Sequence, residues 1–282
     1  MGTHSRWHPA SNKVPAIDGW FWGVKLLTTA FGEAASDYVV RAFNPYLAVA
    51  SVGVVFVLAL GIQFWMPRYR PVSYWFAAAM VACFGTMVAD AAHVQFGISY
   101  EVSTITLAAL LAVVFIVWYR VERTLSIHAI TTTRREMFYW ATIVVTFSLG
   151  TAAGDLAASL GNMGYLKAAL VFLAAILVPA LIYLVTRTHA MVWFWTAYVI
   201  TRPLGASFAD WFSKPASSHG LGFGDGRVAV VLGLCIVAAL IVLSAIQSRS
   251  AAITPSQPHA DEVFVKARRG FDDNMPIPAH GR

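Results

Sequence analysis

The sequence predicts an all-α integral membrane protein of eight transmembrane helices, built from four parallel two-helix repeats around a pseudo-symmetry axis along the membrane normal. Three observations carry this. Of 282 residues, 58% are hydrophobic and 12% charged, with a mean hydropathy of +0.64; that is about half the charged share of an average soluble domain. Eight apolar runs reach about 20 residues, the length that crosses a hydrocarbon layer of about 30 Å. One Trp–Gly–Asp spacing occurs four times. The same composition excludes a disordered chain, a collagen and a coiled coil. Cys83 and Cys235 both lie in apolar runs, so neither a disulfide framework nor a thiolate metal site is expected.

The runs cover residues 17–40, 45–66, 72–94, 98–119, 136–159, 164–186, 190–212 and 226–247. Pro45, Pro67 with Pro71, Gly97, Gly161 with Gly164, and the Gly-rich stretch 220–226 mark where helices stop or restart. The chain then divides into an N-terminal segment (1–16), repeats 1 and 2 (17–119), an Arg-rich loop (120–135), repeats 3 and 4 (136–248), and a polar tail (249–282). The tail carries Pro255, Pro258, Pro276 and Pro278 and is expected to be disordered. The first run begins late and contains Lys25, Glu33 and Asp37, unlike a signal peptide. Basic residues fall mostly on one side, among them Arg68, Arg120, Arg123, Arg134, Arg135 and Arg187, against Arg41, Lys167, Lys214 and Arg227 on the other. The positive-inside rule then places both termini in the cytoplasm.

The repeat is read from Trp22, Trp75, Trp140 and Trp195. Each is followed ten residues on by Gly32, Gly85, Gly150 or Gly205, and fifteen on by Asp37, Asp90, Asp155 or Asp210. A fixed internal period of this kind is a duplication. Each copy is a motif-bearing odd helix followed by a plainer even helix, so all copies enter in the same direction. Helical geometry puts Trp and Asp on one side of the helix, about 22 Å apart along it. Four residues after each Gly stands Ser36, Ala89, Gly154 or Ala209, giving a small-xxx-small strip for close helix packing. Fourfold and twofold pseudo-symmetry both fit the spacing.

Two segments, Phe21-Trp22 to Gly32-Glu33-Ala34-Ala35-Ser36-Asp37-Tyr38 and Thr201-Arg202-Pro203-Leu204-Gly205-Ala206-Ser207-Phe208-Ala209-Asp210-Trp211, carry a resemblance. They resemble the first and last copies of a bacterial integral-membrane family of four tandem two-helix repeats of unknown function. The resemblance spans about residues 15–247. It implies the eight-span, four-repeat architecture and a bacterial inner-membrane location, and it supplies no activity.

Function is therefore sought in the charges. Glu33, Asp37, Asp90, Asp155 and Asp210 lie within the spans with Lys25 and Arg202. Each charge costs about 2.5 to 3.5 kcal/mol at mid-bilayer on insertion scales, so a repeated row needs a role. A cation site or path, a proton relay and a structural hydrogen-bond ring all answer to it. One turn before the Asp row stand Glu33, Thr86, Thr151 and Ala206, an oxygen-rich set of the kind hard divalent cations prefer. His93, three residues after Asp90, adds an imidazole that would favour Mn²⁺ or Fe²⁺; its alternative is an ordinary helix-end histidine. Lys25 and Arg202 read as counter-ions that gate an empty site, or as fixed salt-bridge partners.

The expectation is a divalent-cation or cation/proton exchanger acting through the Asp row, with Gly32, Gly85, Gly150, Gly154 and Gly205 packing the helices. A channel, or an assembly protein whose aspartates cap helices, is the alternative. No catalytic residue, resident cofactor or nucleic-acid partner is expected; the partners are the lipid bilayer and the transported ion, and the oligomeric state stays open. Neither a Gly-x-Gly-Asp protease signature nor a Ser/His dyad is found at depth.

Overall fold

The computed structural model describes residues 12–160 and 163–253, with the side chains of 247–253 left aside. The first eleven residues and the tail expected to be disordered from 254 onward lie outside the described residues. Eight long helices follow one another: α1 (Gly19–Ala42), α2 (Pro45–Trp65), α3 (Pro71–Val94), α4 (Tyr100–Glu122), α5 (Thr133–Ser159), α6 (Gly164–Thr186), α7 (Ala190–Ser213) and α8 (Asp225–Ile253). The chain divides at Ile241 into a first unit, which holds α1 to α7 and the beginning of α8, and a second that starts at Val242.

Local chemistry sets the helix ends. The side chain of Asp18 accepts from Phe21 N at 2.8 Å, and that of Asn44 from Tyr46 N at 3.1 Å ahead of Pro45. Ser99 and Thr132 cap α4 and α5 in the same way, each satisfying amide groups that have no partner inside the helix. Proline at the first turn of α2 and α3 loses no helical hydrogen bond there. α4 and α6 end on Arg123 and Arg187 in the left-handed region, at φ 56° and 53°.

In the first unit the odd helices form a closed inner ring in the order α1, α3, α5, α7 and back to α1. Each even helix packs outside the ring against the odd helix of the next repeat: α2 on α3, α4 on α5, α6 on α7. The first part of α8 completes the circuit on α1, where Val228 and Ala229 join Ala30, Ala34 and Ala209. Between the fourfold and twofold alternatives, the side-chain contacts follow a four-step cycle. The residue before each Trp packs on the next Trp around the ring: Phe21 on Trp75 (5.8 Å between ring centroids), Tyr74 on Trp140 (5.5 Å), Tyr139 on Trp195 (6.2 Å), Phe194 on Trp22 (5.7 Å).

The glycines obey the same cycle ten residues further along. A Cβ added at Gly32 would fall within 3.0 Å of Ala82, at Gly85 of Phe147, at Gly150 of Arg202, and at Gly205 of Thr29. Each of those neighbours stands seven residues after its own Trp. Gly154 has ordinary room, its added Cβ lying 3.6 Å from Ser207 Oγ.

The expectation of eight transmembrane spans is corrected on two counts. Six of the described helices, α2 to α6 and α8, are long and apolar enough to cross a membrane by length and composition; α1 and α7, which carry most of the internal charge, are not. Of the six, α3 and α5 bury 67% and 56% of their apolar stretch inside the bundle, so their hydropathy reports packing against neighbouring helices. Of the charges that were to stand in hydrocarbon, Glu33, Asp37 and Arg202 are held in ion pairs across the helices. With the eight spans go the assignments counted from them: the lipid bilayer as partner, the bacterial inner-membrane location, and the cytoplasmic placing of both ends. The even helices present apolar side chains outward, including Leu58, Ile105, Leu181 and Leu234. Contiguous apolar surface of that extent marks contact faces.

Candidate functional site: the axial charge cluster

The ring is filled by three polar layers. The middle one is built by all four odd helices around Arg202, which is 0% exposed. Its Nη2 donates to Glu33 Oε2 at 3.1 Å, to Thr151 Oγ1 at 2.9 Å and to Thr86 Oγ1, and its Nη1 donates to the carbonyl of Thr29 at 3.1 Å. Thr86 and Thr151 also reach Glu33 Oε2, at 3.2 and 3.3 Å. A buried ion pair is tolerated best when its remaining donors and acceptors are satisfied; the two threonines supply part of that, and Arg202 Nε is left without a partner. Burial raises the Glu33 pKa while Arg202 pulls it back down.

Lys25 lies one turn toward the Trp end, 2% exposed, and its Nζ has no hydrogen-bond partner. It sits 3.5 Å from the centroid of the Tyr198 ring and 5.1 Å from that of Phe147, a cation–π setting. Burial, and then the neighbouring Arg202, hold its pKa well below the usual lysine range. Of the two expected counter-ions, Arg202 is a fixed salt-bridge partner and Lys25 pairs with aromatic faces.

At the far end Asp37 and Asp210 of the Asp row meet Lys214. Lys214 Nζ bonds Asp37 and lies 3.4 Å from Asp210 Oδ1, while Arg41 lies 3.4 Å from Asp37 Oδ2 and also pairs with Asp225. Asp90 and Asp155, on the adjacent helices α3 and α5, are partly buried and have neither an ion pair nor a hydrogen bond among the described residues. Burial, then the field of Glu33, pushes Asp155 up to about 8. The same two causes raise Asp90 and Asp210 well above the carboxylate range. Burial lowers the Lys214 pKa, but Asp210 and Asp37 outweigh it and keep the amine charged. His93 stands apart: its Nδ1 meets the Ile98 carbonyl at 2.9 Å and its ring stacks on Tyr100 at 3.9 Å, the helix-end alternative.

The metal-exchanger expectation is corrected by this geometry. Among the described residues no three His, Cys, Asp or Glu side chains group so as to hold a metal ion. Glu33, meant as a ligand, is taken up by Arg202, and Asp37 and Asp210 by Lys214. The transport and ion-handling roles that rested on a free carboxylate ring fall with it.

Sequence reasoning missed two groups. Lys214 and Arg41 each stand four residues after a motif Asp, the spacing that places side chains together on a helix; that signal was available. At the Trp end, Lys13 Nζ reaches Glu136 Oε2 at 2.6 Å and the Phe64 carbonyl at 3.0 Å, with Gln63 donating to Glu136 at 3.3 Å. Nothing in the local sequence links Lys13 to Glu136, 123 positions away.

A family model described as Repeat of Unknown Function (DUF347) matches residues 73–124, 138–189 and 193–249. The chain belongs to that family. Three copies are matched where four were expected; the segment holding Trp22 and Asp37 lies outside them, and the description names no membrane. No curated protein and no solved structure matches the chain.

Proposed function

We propose, with membership in a family of repeats of unknown function as the premise, that the chain is a non-catalytic helical module that binds protons at the Asp end of its ring and responds to pH. The observation that carries this reading is the division of the Asp row. Asp37 and Asp210 share Lys214 as an ion-pair partner, whereas Asp90 and Asp155 have no base or hydrogen-bond donor of their own among the described residues. A carboxyl group so placed is best accommodated protonated. The axial cluster is consistent with the same reading, because Arg202 and Glu33 are engaged with each other in a buried ion pair.

The pH dependence has a definite sign. Asp155 has a folded-state pKa raised to about 8, against about 3.9 in an unfolded chain. The folded protein therefore holds the extra proton between those values, and stability is full below the lower one and is lost as pH rises through the upper. The thermal midpoint of the purified full chain is expected to fall between pH 6 and pH 9, and Asp155→Asn, neutral throughout, to flatten much of that fall. An infrared carboxylic-acid carbonyl band present at pH 7 and missing in Asp155→Asn would identify the proton's place. A wild-type midpoint that is level across this range, with no such band, would remove the proposal.

A further inference from the structure

A second, independent feature lies on the flank of the ring. α1, α7 and the beginning of α8, with Leu173 of α6, line a half-open groove of about 660 Å³. Its walls are apolar, with Leu27, Phe208, Phe212 and Val231 among them, Gly23 at one end, and Arg227 the one charged residue on its lining. The groove's length follows from helix geometry. Gly205 contacts α1 at Thr29 and Ala30; Gly23 lies seven residues below Ala30, and Phe212 seven above Gly205. At the helical rise this is about 21 Å, the reach of one extended long acyl chain.

Charge completes the fit. Asp225, two residues before Arg227, is paired with Arg41, while Arg227 is exposed and has no ion pair among the described residues. The mouth of an otherwise apolar slot thus carries one uncompensated positive charge. A pocket of apolar walls with one placed polar group is the usual form of a small-molecule site.

We infer that this groove is a binding site for a single-chain anionic amphiphile of the fatty-carboxylate class, its chain lying along α1 and α7 toward Gly23 and its carboxylate on Arg227. The site does not use the Asp row and stands whether or not the proton-binding reading does.

The test titrates the purified, delipidated full chain with palmitate and, in parallel, with hexadecanol, which has the same chain and no charge. Palmitate is expected to bind saturably at one per chain and hexadecanol at least tenfold more weakly. Gly23→Phe fills the far end where an added Cβ meets nothing within 4 Å, so it should abolish palmitate binding with the thermal midpoint kept. Arg227→Glu, on an exposed side chain, should weaken palmitate at least tenfold and leave hexadecanol unchanged. Equal affinity for the two probes, or undiminished palmitate binding in a folded Gly23→Phe, would overturn the assignment. Should Gly23→Phe not fold, Arg227→Glu decides alone, and palmitate binding that it leaves intact overturns the assignment equally.

Discussion

Arg202→Met is expected to destabilise the bundle by about 3–5 kcal/mol, the range for removing one partner of a buried ion pair. The reason is what it leaves behind. Glu33, 3% exposed, loses its one ion-pair partner among the described residues, and Thr86, Thr151 and the Thr29 carbonyl lose the guanidinium that links them. Glu33 can relieve the charge by taking a proton, so the loss should be largest at high pH and smaller in acid. Glu33→Gln should also destabilise, because an amide keeps an acceptor for both threonines but leaves Arg202 a buried cation without its counter-ion. The double variant Arg202→Met with Glu33→Gln should be more stable than Arg202→Met alone, which a double-mutant cycle on chemical denaturation would measure. An Arg202→Met protein within about 1 kcal/mol of the parent would show that the pair does not hold the ring together.

Gly32→Ala comes second, and its control is Gly23→Ala. Alanine for glycine inside a helix ordinarily gains up to about 1 kcal/mol. At Gly23 the new methyl meets nothing within 4 Å, and that gain should appear as a raised thermal midpoint. At Gly32 the methyl would fall within 3.0 Å of the Ala82 backbone. Backbone cannot rotate away, so α1 and α3 must separate, and overpacking of this kind costs about 1–3 kcal/mol. The two substitutions sit nine positions apart on one helix and should move the midpoint in opposite directions. Gly32→Ala with an unchanged midpoint would mean that the ring is looser than its contacts imply.

Much of this fold was legible in the chain. The four Trp–Gly–Asp spacings located the odd helices, and the glycine rows turned out to lie where helices approach most closely. The chain could not say what each apolar residue faces. Ala77, Val81 and Ile143 face other helices, whereas Leu58 and Ile105 face outward, yet hydropathy scores them alike. That is why counting apolar runs gave eight spans. The Asp row was misjudged for a related reason: its recurrence was visible, but the pairing of Asp37 with Lys214 depends on bringing α1 and α7 side by side. The Lys13–Glu136 pair is still less local, because it joins the segment before α1 to α5.

The closed four-step cycle has a consequence for how this core could have come about. Four identical two-helix units assembled with the same rotation would satisfy the glycine and tryptophan contacts equally well, as cyclic homo-oligomers do. They could not build the axial cluster. Identical copies would set four guanidiniums, or four carboxylates, against one another at the centre, where this chain has one Arg202, one Glu33 and the hydroxyls of Thr86 and Thr151. The central ion pair is therefore closed to four identical copies and needs repeats that are free to diverge, as they are in this one polypeptide. Fusion let one quarter of the ring supply the cation, another the anion, and the remaining two the hydroxyls that solvate both.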